Sequence, residues 1–381
     1  MERIYLDHAA TSPTHPDVVK EMSPYMSGIF GNPSSIHSFG RESRQAIDDA
    51  RQTISANIGA KSTEIIFTSG GTEADNLALI GVALANKHRG NHIITTKVEH
   101  HAILHTCEYL EIQGFKVTYL PVQENGIVSI EDVKASLTDQ TILVSIMLAN
   151  NEVGAIQPIK ELSEIVRANG AYVHSDIVQG YNLFPINVDD LGIDLLSVSG
   201  HKINGPKGVG YLYVRSGVKI TPSLHGGEQE RKRRAGTENV ASIVGLKHAV
   251  QLSNKGRNER FELYSNYKKQ MIDIFKQEEI DFSINGDLEL TVPNILNVSF
   301  AGVSVEALLV NLDLIGIAAS SGSACTAGSV DPSHVLVAMF GNGSERIQSS
   351  IRFSFGYGNN EEEIRKAAYE ITKIVKRLTK H

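Results

Sequence analysis

The chain has 381 residues, 41% of them hydrophobic, and a formal net charge of −7. That length supports one large α/β core with a smaller second unit, and the acidic balance excludes a general electrostatic affinity for nucleic acid. No apolar stretch approaches the ~18 residues of a membrane span, no basic-then-apolar leader opens the chain, and Cys107 and Cys325 form neither a disulfide framework nor a zinc-type pairing, so a cytoplasmic globular protein is expected.

Short apolar runs at 64–68, 92–95, 115–120, 141–147, 171–174 and 194–198 read as buried strands. Between the first two, Ala74, Leu77, Ala78, Gly81, Leu84 and Ala85 recur at helical spacing, which lays one apolar stripe on the sheet. Strands alternating with helices predict a doubly wound, mostly parallel α/β architecture. Past about residue 255 the pattern changes to a long charged helix, an apolar run at 292–300, a helix–strand stretch and a last helix from Glu361 to Lys380. The expected division is a large domain over 15–255 and a smaller α+β domain formed by 1–14 and 256–381.

Ser69-Gly-Gly-Thr-Glu-Ala-Asp75 follows the first of these strands and opens a helix. Its glycines allow close backbone approach to a phosphate at the helix start, while Thr72 and Asp75 have the spacing of a capping box, so phosphate cup and plain cap stand side by side. The Gly-Lys-Ser/Thr run of a nucleotide P-loop is missing from the sequence. His100, beyond the strand at 92–95, is placed to lie over a cofactor ring and exchange protons, whereas His101 and His105 read as structural because no third ligand with metal-site spacing accompanies them. Asp176 follows the run ending at His174, where an acid can keep the ring nitrogen of pyridoxal phosphate protonated, and Gln179 can donate to the ring oxygen; taken alone Asp176 reads equally as a capping or turn residue, and its pairing with Lys202 favours the cofactor.

Lys202 stands in Val198-Ser-Gly-His-Lys-Ile-Asn-Gly-Pro206, at the end of a buried strand and between hydroxyl, imidazole and glycine. An amine so placed suits a Schiff base with a carbonyl cofactor. The run Arg231-Lys-Arg-Arg234 reads as a solvated loop, and Cys107 as a packed helix residue. Cys325 lies in the small-residue run 319–329, so it is expected on an exposed mobile loop at about 319–335, where a thiol can act as a nucleophile. Arg352, in an alternating strand of serine and aromatic residues, is either a carboxylate clamp or a surface ion pair.

Taken together with Tyr5-Leu-Asp-His-Ala-Ala10, Gly31-Asn-Pro-Ser34, Ser321-Gly-Ser-Ala-Cys325 and Ser350-Ile-Arg-Phe353, the chain resembles the cysteine desulfurases of the NifS/IscS type, within the fold-type I pyridoxal-phosphate enzymes. The resemblance spans nearly the whole chain. It implies pyridoxal 5′-phosphate bound to Lys202, His100 stacked on the ring, Asp176 at its nitrogen and Gln179 near its oxygen. Gly71, Thr72, Ser199 and His201 match phosphate-binding positions, Asn151 matches a position beside cofactor and substrate, and Asn32 and Arg352 match substrate-binding positions. It further implies a homodimer in which Thr237 reaches the phosphate of the other subunit. The implied reaction turns L-cysteine into L-alanine, with the sulfur taken by Cys325 as a persulfide and passed to an acceptor protein.

The form of the cysteine motif resembles the group with a mobile loop. Because the chain stops at His381, without the extension by which some iron–sulfur members dock their scaffold, a tRNA-thiolating enzyme is the expected acceptor and an iron–sulfur scaffold the second. An aminotransferase or selenocysteine lyase on the same scaffold, and a sulfur carrier without catalysis, are the competing readings.

Overall fold

The computed structural model describes residues 3–321 and 332–379. Its centre is a seven-stranded sheet in the order Ile65–Thr68, Gly210–Val214, Leu195–Ser199, Tyr172–Asp176, Thr141–Ser145, His92–Thr96 and Lys116–Leu120. Gly210–Val214 pairs antiparallel with both neighbours and the remaining pairings are parallel. The carboxyl ends at Thr68, Thr96, Ser145, Asp176 and Ser199 therefore share one edge, where an open α/β sheet places its ligands.

Burial explains why the strands were legible. Ile65, Ile66, Ile93, Ile94, Leu143, Leu195, Leu196 and Val198 are all fully enclosed, because helices cover both faces of the sheet. The details differ from the sequence reading. Gly210–Val214 was not anticipated, although all five of its residues are buried. The strand expected to end at His174 continues to Asp176, and the one expected to reach Met147 ends at Ser145, after which Ile146 N–H donates to His174 O at 3.1 Å.

The helix Gly71–Asn86 buries Ala74, Leu77, Ala78 and Gly81 as the spacing predicts, but Leu84 is 44% exposed and Ala85 only half-buried. Leu79, Val82 and Ala83 are buried instead, because the helix His101–Ile112 covers a second side, its Ile103, Cys107 and Leu110 sharing one apolar cluster with them.

A separate apolar cluster joins the helices Arg257–Gln277 and Glu361–Leu378 to the antiparallel strands Phe282–Ile284, Ile295–Phe300 and Ser350–Ser354. The start of the chain belongs to it, with Ile4 and Leu6 buried there and Ile4–Tyr5 paired in parallel with Ile317–Ala318. This threads residues 7–12 over the carboxyl edge of the large sheet: Leu6 N–H donates to Ala318 O and Ser12 N–H to His201 O, each at 2.9 Å.

The basic run at 231–234 is solvated only in its first half. Arg234 pairs with Glu73 at 2.7 Å and Arg233 donates to Thr63 O at 2.7 Å, while the exposed Arg231 reaches Ser62 O at 3.4 Å and the exposed Lys232 pairs with Glu228 at 3.0 Å. The fixed point is Glu230, which is buried and takes Arg51 on both oxygens at 2.6 and 2.8 Å and Phe67 N–H at 3.0 Å. That buried carboxylate ties the segment to the strand Ile65–Thr68.

Candidate active site

A cavity of about 300 Å³ opens at the carboxyl edge of the sheet, lined among others by Gly71, Thr72, His100, Asn151, Asp176, Gln179, Ser199, His201, Lys202 and Arg352. They come in small groups from the carboxyl ends of five strands of the sheet and the turns after them, with Arg352 from the strand of the second cluster, which is why they are scattered in sequence and adjacent in space. Asn32 and Thr237 do not line it and are solvent-exposed. Cys325 lies outside the described residues.

Lys202 ends the short turn after Leu195–Ser199. Its Nζ donates to Ala10 O at 2.8 Å and to Ala9 O, and Gln179 Nε2 donates to the same Ala9 carbonyl at 3.0 Å. The amine is thereby held on the cavity wall by the opening segment of the chain.

His100 is the N-cap of the helix His101–Ile112, its Nδ1 accepting from Ala102 N–H at 3.1 Å. With Nδ1 an acceptor, the neutral ring carries its proton on Nε2. Burial foremost, then Lys202 and the neighbouring histidines, lower its pKa to about 4, so the imidazole is neutral at pH 7. His201, whose Nδ1 meets Thr11 Oγ1 at 3.1 Å, is pushed to about 4 by burial and by Lys202.

Beneath the cavity lie three buried acids. Asp176 accepts from Val178 N–H at 2.8 Å, and burial raises its pKa, with Val178 and Lys202 opposing. Asp75 is raised by burial and by the charge of Asp176, and its Oδ1 has no hydrogen-bond partner among the described residues. Glu99 accepts from Thr96 Oγ1 at 2.7 Å and Met147 N–H at 3.1 Å, yet burial carries it up to about 8. His174, between Ser145 Oγ at 2.8 Å and Ser197 Oγ at 3.0 Å, is kept neutral by burial at a pKa of about 3 and supplies no compensating charge.

This finding corrects the capping box. Asp75 is fully buried under the site instead of capping a helix end, and the Gly71–Asn86 helix has Gly70 at its N-cap with no side-chain bond. Glu73 does the local work, its carboxylate accepting Ser69 N–H at 2.7 Å. Arg352 is 3% exposed, so its ion pair is buried and not on the surface: Nη2 donates to Asp7 Oδ1 at 2.8 Å and Nη1 to Asn151 O at 2.8 Å, while Nε has no partner among the described residues.

Cys107 is buried and its thiol pushed up to about 12, which suits packing and not nucleophilic work. His101 and His105 stack with ring centroids 5.1 Å apart, and no cluster of metal-ligating side chains occurs among the described residues. Asp7, Ala9, Ala10, Asp75 and Glu99 touch or underlie the site without having been singled out for it. The motif around Asp7 was the one available signal, since carbonyl contacts leave no mark in a side-chain pattern.

The donors present fit pyridoxal 5′-phosphate. The glycine at 71 keeps the wall open beside the helix start, since a Cβ there would stand 3.3 Å from Val178 Cγ2 and 3.5 Å from Ser199 Cβ. A protonated ring nitrogen would add a positive charge beside the buried acids Asp176 and Asp75. Arg352 Nε, buried and without a partner among the described residues, is a donor of the kind a carboxylate accepts from.

The class-V aminotransferase family matches residues 4–366 of the chain. A Bacillus subtilis (strain 168) protein provisionally named cysteine desulfurase IscS 1 is 61% identical over 379 residues, covering 100% of both chains. Cysteine desulfurase IscS of Clostridium botulinum (strain Hall) is 49% identical, over 98% of this chain and 95% of that one. A solved NifS-like protein superposes with a TM-score of 0.92 at 37% identity, over 99% of this chain and 100% of the other. The chain belongs to the class-V aminotransferase family and, within it, to the pyridoxal-phosphate-dependent cysteine desulfurases of the NifS/IscS type.

Proposed function

We propose that the cavity at the carboxyl edge of the sheet converts L-cysteine to L-alanine and that Cys325 takes the sulfur. The observation that carries this reading is the convergence on one cavity of the Lys202 amine, the buried acid Asp176 and the Arg352 donor that has no partner among the described residues. When bound, pyridoxal 5′-phosphate supplies a carbonyl that captures the substrate amine and a ring that stores the electron pair left at Cα.

In this reading Gly71, Thr72, Ser199 and His201, joined by Thr237 of a second copy, hold the phosphate. Asp176 keeps a proton at the ring nitrogen, Gln179 and Asn151 orient the ring, and His100 covers it. Arg352 holds the substrate carboxylate, with Asn32 and Asn151 beside the substrate. The Lys202 amine would take the proton from Cα, and His100 would present Nε2–H to the reacting groups. The Cys325 thiolate attacks the substrate sulfur: an S–S bond forms, the C–S bond breaks, and its electron pair stays with the carbon, which is protonated to give alanine. The persulfide on Cys325 then passes its outer sulfur to an acceptor.

Residues 15–255 would form the cofactor-binding domain, and 1–14 with 256–381 the second. We infer a cytoplasmic homodimer whose acceptor is a tRNA-thiolating enzyme or an iron–sulfur scaffold. No helix among the described residues is long and apolar enough to cross a membrane.

The test is alanine and protein-bound persulfide formed from L-cysteine by wild type and Cys325→Ala. Both products in wild type, and little of either in the variant, are expected. Equal alanine from both proteins would remove Cys325 from the reaction and favour a lyase that releases free sulfide.

A further inference from the structure

The described residues on either side of Cys325 are both tied to the cavity, and the downstream tie ends on a buried carboxylate that the proposed reaction does not use. Upstream, Arg352 N–H donates to Ser320 O at 2.7 Å and Ser320 N–H to Arg352 O at 3.2 Å. The chain thus departs from the backbone of the arginine that faces the substrate. Downstream, Ser333 Oγ donates to Glu152 and accepts from Leu336 N–H at 3.1 Å, capping the helix His334–Phe340. The expected loop is therefore shorter at that end, because helix begins at His334. His334 Nε2 also meets Glu99 O at 2.8 Å, and Val335, Leu336 and Met339 pack against Val98 and Val153.

Glu152 is 2% exposed. Its N–H donates to Asn150 Oδ1 at 2.9 Å and its carbonyl accepts from Asn297 Nδ2 at 3.0 Å, so its backbone is immobilised. It follows Asn151, whose carbonyl receives Arg352 Nη1. A carboxylate enclosed this far, with a serine hydroxyl as its partner, is costly to maintain unless the contact serves something.

We propose that Glu152 is a positioning residue for sulfur transfer: through Ser333 it fixes the downstream root of the Cys325 segment against the Arg352 side of the cavity. The inference rests on the reading of Cys325 as sulfur acceptor. Cys325 is five residues beyond Ser320 and eight before Ser333. At ~3.5 Å per residue these tethers reach at most about 17 Å and about 28 Å, and the thiol is confined to the volume the two reaches share. Loosening the second root enlarges that volume and dilutes the thiol at the substrate sulfur.

The experiment uses the holoenzyme with Ser333→Ala, Glu152→Ala, the double variant and Ser333→Thr. Cysteine binding is read from the midpoint of the change in the visible cofactor band, and sulfur transfer from the single-turnover rate of persulfide formation. Each alanine variant should slow persulfide formation about 3- to 10-fold while the binding midpoint stays within about twofold. The double variant should be no slower than the worse single one, and Ser333→Thr should restore the rate. Persulfide formation at the wild-type rate in Ser333→Ala, or a parallel loss of binding and transfer, would overturn the proposal. Cys325→Ala run alongside separates the two readings: if it makes alanine as fast as wild type, the acceptor assignment has failed and the positioning role falls with it.

Discussion

Replacing Arg352 by lysine tests the carboxylate seat without emptying it of charge. The guanidinium gives Nη1 to Asn151 O and Nη2 to Asp7, each at 2.8 Å, and leaves Nε buried without a partner among the described residues. A lysine ammonium can keep the ion pair with Asp7 but cannot present a planar fork to a second carboxylate. Charged hydrogen bonds contribute about 1.5–3 kcal/mol each, and losing the fork while keeping the charge should cost about 2–4 kcal/mol of substrate stabilisation. At about 1.4 kcal/mol per factor of ten, that is a loss of roughly 30- to 700-fold in kcat/KM for L-cysteine. The assay compares L-cysteine with cysteamine, which has the same thiol and amine but no carboxylate. The loss should appear for cysteine and stay within about threefold for cysteamine. Equal losses for both would show that Arg352 supports the site through packing or its pair with Asp7, and would refute the clamp.

Gly71→Val should weaken pyridoxal-phosphate retention at least about tenfold, read from the cofactor band after dialysis, because its side chain fills space bounded by Val178 and Ser199. Arg51→Ala leaves the buried Glu230 with Phe67 N–H alone, which should cost about 3–5 kcal/mol in denaturant unfolding. A loss below about 1 kcal/mol would mean that the pair is solvated. The folded chain keeps a proton on Glu99 up to about pH 8, whereas the unfolded chain releases it near the ordinary value of 4.5, so this group makes stability fall as pH rises through that window. Glu99→Gln should flatten the decline, and an unchanged slope would place the proton elsewhere. On the acid side, His8, His100 and His201 at about 4 and His174 at about 3 stay neutral while unfolded histidines protonate near 6.5. Stability present above 6.5 should therefore be lost as pH falls toward 4, as measured by chemical unfolding across that range.

Local pattern determined a great deal of this protein. Fully enclosed parallel strands are written as continuous apolar runs, so the sheet could be read from Ile65–Thr68 to Leu195–Ser199, and the turns after them yielded Gly71, His100, Asp176 and Lys202 as candidates. Gly210–Val214 escaped because an antiparallel strand in which Tyr211 and Tyr213 alternate with Leu212 and Val214 does not repeat the aliphatic run of its neighbours. The family too was legible, because its motifs are residue types at fixed places.

What only the tertiary structure decided is who answers whom. Asp75 looked like part of a cap, and became a buried acid because the helix Gly71–Asn86 lies directly on the strands carrying His174 and Ser197. Asp7 and the Ala9 and Ala10 carbonyls meet Arg352 and Lys202 across most of the chain, through the pairing of Ile4–Tyr5 with Ile317–Ala318. Arg233 and Arg234 resembled part of a solvated charge run until the buried Glu230 beside them was seen to hold Arg51. The physical reason is common to all three. Periodicity reports which face of an element is buried, but the partner of a buried charge or a backbone carbonyl is set by contacts between segments remote in sequence, on which local pattern is silent.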